Sequence, residues 1–141
     1  MKNVPKYAEL SGRVLLAAIF LISGLGKIGG YEGTAGYMSA VGLPGALLPL
    51  VIAFEVLGAI ALIVGWQTRV VAFLFAGFSL LSGLIFHGNF ADQMQMIMLL
   101  KNVAIAGGML VLVANGPGIL SLDRRGPRRP STDPDGMARI A

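Results

Sequence analysis

The sequence predicts an all-α protein, a bundle of four transmembrane helices with a short interfacial helix between the first two. Of its 141 residues, 55% are hydrophobic and 13% are charged, and the mean hydropathy is +0.77. A soluble domain typically has about a quarter of its residues charged. Crossing a bilayer takes ~20 apolar residues, and four runs approach or reach this length, at about residues 11–28, 46–65, 70–86 and 94–114.

The first run follows Lys2 and Lys6, as the apolar segment of a signal peptide would. No small-x-small cleavage site follows it, and three further apolar runs come after it, so we interpret it as an uncleaved first helix. Arg13 lies within a turn of its inner end, where a long side chain can snorkel to the lipid headgroups. Lys27 lies at its outer end.

The segment 29–45 is too polar and too rich in glycine to cross a membrane. Thr34 can cap a short helix over residues 35–41, and Gly42 can end it. Tyr37 suits an amphipathic helix lying at the membrane interface. We therefore expect an extracytoplasmic interfacial helix between the first and second spans.

The charged C-terminal segment predicts a boundary between a transmembrane domain at 1–122 and a tail at 123–141. The tail has almost no apolar content, which predicts disorder. Its arginines could attract anionic lipid, at ~1 kcal/mol per charge, or serve only as a topology signal. We favour the topology signal, because short basic flanks routinely set orientation.

The distribution of positive charge predicts the orientation. Four spans place both termini on one side, and by this count the other side holds Lys27 alone among the positive residues. The positive-inside rule then places both termini in the cytoplasm. We expect the protein to lie in the inner (plasma) membrane. The residues on the terminal side are Lys2, Lys6, Arg13, Arg69, Arg124, Arg125, Arg128 and Arg129.

Several function classes are excluded or disfavoured. The net charge of +4 reflects residues that orient the protein in a membrane, so we expect no nucleic-acid partner. The chain has no cysteine and one histidine, so cysteine-ligated metal is excluded and a zinc site would need unusual ligands. Met94, Met96 and Met98 do not share one helix face, which disfavours a copper(I) site. Phosphate loops, dinucleotide fingerprints and nucleophile elbows are absent, and we expect no metal.

Glu55 is the one charge in the middle of the second span, where a carboxylate costs several kcal/mol unless it is protonated, paired or facing a polar cavity. It lies ~13 Å from the outer end of its helix, and Lys101 lies ~12 Å from the outer end of the fourth. Spans two and four run in the same direction, so we expect an ion pair between Glu55 and Lys101, with Asn102 adding a hydrogen bond.

Two interpretations of these polar residues remain. The ion pair could only fix the register of the helices, with the other residues being interfacial. Alternatively, the outer half of the bundle holds a polar pocket for a small ligand or a proton, and buried ionisable groups in membranes favour function by default. The candidate site residues for this pocket are Glu55, Lys101, Asn102, His87, Tyr37 and Lys27.

A series of short motifs resembles the DoxX family of small bacterial four-helix membrane proteins, and the resemblance covers about residues 13–123. No single motif is specific, but their order and spacing together are. The motifs are Arg13-Val-Leu-Leu, Phe20-Leu-Ile-Ser-Gly-Leu-Gly-Lys27, Thr34-Ala-Gly-Tyr37, Gly42-Leu-Pro44, Glu55-Val-Leu-Gly58, Gly65-Trp-Gln-Thr-Arg69, Phe86-His87, Lys101-Asn102, Gly107-Gly108 and Gly116-Pro-Gly118.

The resemblance implies a redox context, because the family was named for a subunit associated with a quinol-oxidising complex. It leads us to expect an accessory subunit of a quinone-linked membrane system, with quinone as the expected ligand. A structural scaffold that recruits a soluble redox enzyme and a small-molecule carrier remain as alternatives. The sequence leaves open whether the chain is an enzyme. Besides the lipid bilayer, a redox enzyme or further copies of the chain are the candidate partners.

Overall fold

The computed structural model describes residues 4–125, and within that range the chain is helical with no strand. The α-helices are α1 (Val4–Gly29), α2 (Tyr31–Ala40), α3 (Leu48–Val64), α4 (Thr68–Phe86) and α5 (Gln93–Asn115), and a 3-10 turn, Gly45–Leu47, precedes α3. α1, α4, α5 and the combined segment Gly45–Val64 are long and apolar enough to cross a membrane. The predicted all-α bundle of four spans is confirmed.

The helix bounds differ from the prediction in two places. α1 begins at Val4, well before the apolar run that starts near residue 11. At ~1.5 Å per residue it is longer than the ~30 Å hydrocarbon core. α2 begins at Tyr31, so the expected capping role of Thr34 is wrong. The Thr34 hydroxyl lies inside the helix and donates to the carbonyl of Gly30 at 3.0 Å.

The four spans form a ring in which α1 packs along α3 and α4 packs along α5. Contacts between α3 and α4 and between α1 and α5 close the ring, so α3 and α5 lie diagonally opposite each other. Phe20 of α1 stacks on Phe75 of α4 across the other diagonal, with ring centroids 4.0 Å apart. The buried core around this stack consists of Ala17, Phe20, Ala59, Leu62, Ala72, Phe75, Ala76, Ala106 and Met109.

Glycines allow close approach where the helices are tightest. A Cβ atom on Gly58 would lie 2.6 Å from Cζ of Phe75, which a real Cβ contact essentially never shows. A Cβ atom on Gly83 would lie 2.9 Å from Cβ of Asn102. Small residues permit such approach between transmembrane helices, and here they join α3 to α4 and α4 to α5.

Arg13 fixes the terminal end of the bundle, and the expectation that it snorkels to the headgroups is wrong. Its residue surface is only 2% exposed. Its guanidinium donates to the carbonyl oxygens of Pro117, Leu120 (2.6 Å) and Ile63 (3.3 Å). The chain after α5 leaves carbonyl groups without helical partners, and the five donors of an arginine can satisfy several of them.

Asp123, which we expected to begin the tail, caps α4. Its carboxylate accepts hydrogen bonds from the backbone N–H groups of Gln67 (2.8 Å) and Thr68 (2.9 Å). Burial, the largest single influence, raises the pKa of this carboxyl, but those N–H donors and the nearby Arg13 charge together hold the pKa below its usual value. The expectations for residues 126–141 lie outside the described part of the chain.

Candidate functional site

A cavity of about 510 Å³ lies inside the bundle at the end that carries α2. It is lined by all four spans, with α2 and Leu43 contributing from the segment between α1 and α3. The six candidate residues all line it, although they come from five different helices or their ends: Lys27, Tyr37, Glu55, His87, Lys101 and Asn102. The structure therefore brings these side chains to one cavity.

An ion pair between Lys27 and Glu55 forms the charged part of the cavity wall. The Lys27 ammonium lies 2.8 Å from Oε2 and 3.1 Å from Oε1 of Glu55. Ser23 joins them, because it accepts from Lys27 at 2.5 Å and donates to Glu55 at 3.3 Å. The Glu55 side chain is 4% exposed and that of Lys27 is 24% exposed. The pair joins α1 to α3 and satisfies the charge that the membrane-spanning position would otherwise leave unpaired.

The expected ion pair between Glu55 and Lys101 is wrong. Equal depth along two parallel helices does not make them neighbours, and α3 and α5 are diagonal in the ring. Lys101 is exposed, and among the described residues it forms no ion pair. Lys27, which we placed at the outer end of the first span, is instead the partner of Glu55.

The remaining candidate residues are held by local hydrogen bonds. Nδ1 of His87 lies 2.7 Å from Oε1 of Gln95, which ties the end of α4 to the start of α5. The Tyr37 hydroxyl donates to the carbonyl of Phe86 at 3.3 Å, and the two rings lie 5.1 Å apart. The Asn102 amide donates to the carbonyl of Met98 at 3.0 Å. These contacts position the side chains along the cavity wall without any ligand.

Three serines of the cavity, Ser23, Ser79 and Ser82, were not among the candidate residues. Ser23 stands four residues before Lys27, so a helix places both on one face. In the structure Ser79 is 1% exposed, lines the cavity, and its hydroxyl has no hydrogen-bond partner among the described residues. A buried polar group without a partner is uncommon and costly, and the Thr68 hydroxyl outside the cavity shares this state.

Most of the cavity wall is apolar. Aromatic and aliphatic side chains from the spans surround the ion pair and the Ser79 hydroxyl, among them Phe20, Phe78, Met38 and Ile105. Ligand pockets of about 300–1,000 Å³ usually combine such walls with a few polar groups that orient the ligand. No group of three or more His, Cys, Asp or Glu side chains within residues 4–125 could hold a metal ion. The cavity suits an organic molecule with an apolar body and hydrogen-bonding oxygens.

The sequence of this chain is similar to that of a known protein family. The DoxX family model matches residues 8–88, which include most of α1, all of α2 to α4 and the Lys27–Glu55 pair. The chain belongs to the DoxX family. The match covers more than half of the chain and ends at the start of the turn before α5.

Relatives of this DoxX protein come from two bacteria. It is 45% identical to "Inner membrane protein YqjF" of Escherichia coli (strain K12), over 88% of this chain and 95% of that protein. It is 40% identical to "Inner membrane protein YphA" of the same organism, over 82% of this chain and 88% of that protein. It is 38% identical to "Putative oxidoreductase CatD" of Bacillus subtilis (strain 168), over 45% of this chain and 48% of that protein. No solved structure matches it significantly. Together with the four apolar helices, the relatives establish a multi-pass inner membrane protein.

Proposed function

We propose that this DoxX protein is an accessory subunit of a quinone-linked redox system and that its cavity binds the quinone head group. The observation that carries the proposal is the Lys27–Glu55 pair, with Glu55 buried, in a mostly apolar cavity that Ser79 also lines. A quinone head group has the matching chemistry, since its flat apolar ring carries oxygens that accept hydrogen bonds.

The side chains divide into donors and a proton acceptor. Lys27, Ser79 and Asn102 have N–H or O–H groups that can donate to the carbonyl oxygens of a quinone. Glu55 can accept a proton from a quinol hydroxyl, because oxidation of a quinol releases protons together with electrons. The electrons would pass to an acceptor in a partner redox protein, so this chain contributes binding and proton transfer.

The name of one relative agrees with a redox setting. CatD of Bacillus subtilis is called an oxidoreductase in its printed name, whereas the two Escherichia coli relatives are named only as inner membrane proteins. The alignment with CatD covers less than half of this chain. The name therefore supports a redox context, and the geometry of the cavity supports the choice of ligand.

Thermal stability in the presence of a chainless benzoquinone tests the proposal. A ligand that binds only the folded state raises the midpoint of unfolding. We expect the midpoint of the wild type to rise with quinone concentration, and the rise to be smaller for Glu55→Gln and for Ser79→Ala. Glu32→Gln is the matched control, because the same change is made at an exposed position on α2. No rise in the wild type, or equal rises in all four proteins, would reject the pocket and favour the scaffold hypothesis.

We also propose that both termini lie in the cytoplasm, so that the cavity opens in the outer half of the membrane. Because the chain has no cysteine, single cysteines at Ser39, Asn89 and Ser131 can be labelled without background. A membrane-impermeant thiol reagent should reach the first two in intact cells and should miss Ser131. Labelling of Ser131 from outside would reverse the orientation.

A further inference from the structure

We propose that the ligand of this cavity carries an apolar chain, and that the chain leaves the bundle between α1 and α5 into the lipid. The inference rests on the proposed function, because it concerns the same cavity. It adds a ligand class, membrane-resident amphiphiles with a compact polar head, and a path by which they enter.

The seam between α1 and α5 is closed only in the half away from α2, nearer the N- and C-terminal ends of the chain. There Leu16 packs against Gly108, and a Cβ atom on Gly108 would lie 3.0 Å from Cδ2 of Leu16. Towards α2, the cavity is lined from both helices by side chains that are not buried. Ile19 is 48% exposed, Lys101 is exposed, and Ile105 is partly exposed. Among the described residues no side-chain hydrogen bond or ion pair joins α1 to α5.

Each of the other three seams is bridged by close contacts. The Lys27–Glu55 pair crosses from α1 to α3, where a Cβ atom on Gly24 would lie 2.8 Å from Cγ2 of Val56. α4 and α5 meet closely at Gly83 and Asn102. The rings of Phe54 and Phe78 join α3 to α4 with centroids 5.2 Å apart.

Polarity changes along the cavity in the direction that such a ligand requires. Glu55 and Ser79 lie inside with 3% and 1% of their surface exposed. Ile19 and Ile105 border the seam and are apolar. Lys101 borders the seam with its methylene stem, and its ammonium can extend to the aqueous boundary at the α2 end. A polar head therefore fits inside, with an apolar chain passing between two isoleucines.

The test compares the binding of a chainless benzoquinone with that of its decyl derivative, using the full chain in lipid nanodiscs. The concentration of each quinone is expressed per lipid molecule. Ile105→Trp and Ile19→Trp place a large ring in the seam. We expect both variants to weaken binding of the decyl compound by about tenfold or more relative to binding of the chainless one. The added ring would occupy the space that the decyl chain needs. Ile22→Trp, on the lipid-facing side of α1 where Ile22 is 71% exposed, should change neither.

Ile85→Trp serves as the competing variant, because Ile85 lines the cavity from α4 and is 43% exposed. A selective loss of the decyl compound in Ile85→Trp, and not in the two seam variants, would overturn the proposed path. Equal binding of both compounds in every variant would overturn it too, as would exclusion of the decyl compound by the wild type. In those cases binding of the chainless quinone leaves the proposed function standing. If neither compound binds the wild type, the proposed function itself fails, and the inference fails with it.

Discussion

Replacing Lys27 by methionine should destabilise the fold strongly, because it strands a carboxylate inside the bundle. The Glu55 side chain is 4% exposed, and both of its oxygens lie within 3.1 Å of the Lys27 ammonium. Removing one partner of a buried ion pair typically costs about 3–5 kcal/mol. We expect about 3 kcal/mol, the lower end, because the Lys27 side chain is 24% exposed and the pair is only partly buried.

A double-mutant cycle with Glu55→Gln measures the coupling directly. Lys27→Met with Glu55→Gln should be more stable than Lys27→Met alone, because no charge is then left unpaired. The free energy of unfolding is measured in detergent for the wild type, both single variants and the double variant. Lys101→Met is the control, and its effect should stay within about 0.5 kcal/mol because Lys101 is exposed. Additive losses in the cycle, or coupling of Glu55 to Lys101 instead, would refute the arrangement described for the cavity.

Three further predictions concern the framework around the site. Arg13→Met should lower the free energy of unfolding by about 3 kcal/mol, since it leaves buried carbonyls unpaired. Arg124→Met, at an exposed position, should change it little. Equal effects of the two changes would contradict the stabilising role of the Arg13 hydrogen bonds. Gly58→Ala should cost about 1–3 kcal/mol by overpacking, while Gly77→Ala, with no atom within 4 Å of the added carbon, should be neutral or slightly stabilising in a thermal melt. Asp123→Ala should cost about 0.5–2 kcal/mol at pH 7 through loss of the α4 cap. The folded-state pKa of Asp123 is lowered. The stability difference between the wild type and Asp123→Ala should therefore shrink as the pH falls below ~4, the usual aspartate value, and through the lower folded-state pKa. A stability difference that does not change with pH would contradict this role of Asp123.

The number of spans and six polar residues of the cavity could be predicted from sequence because both depend on local patterns. The length of an apolar run decides whether a helix can cross the bilayer. The position of a polar residue along that run decides its depth. Glu55, Lys101 and Lys27 were placed at one end of the bundle by this counting alone, and the structure brings them to one cavity.

The partner of Glu55 could not be predicted because it depends on the order of helices around the ring. Depth along the helix gives only one coordinate of a side chain in the bundle. The other coordinates depend on the rotation of the helix about its axis and on which helices are its neighbours. α1 packs on α3, which brings Lys27 to Glu55, and the diagonal position of α5 keeps Lys101 away. The burial of Arg13 escaped prediction for a related reason, since its acceptors are backbone carbonyls that carry no sequence signal.

Photo-cross-linking with a benzoquinone that carries an azide on its ring tests the central claim most directly, because it reports where the head group binds. The wild type in lipid nanodiscs is illuminated with the probe, with and without excess unlabelled quinone, and the modified residues are mapped by mass spectrometry. We expect cross-links to cavity residues such as Ser79, Lys101 and Asn102, and we expect the excess quinone to suppress them. Cross-links confined to the lipid-facing surfaces of the helices, or unaffected by competition, would contradict the account.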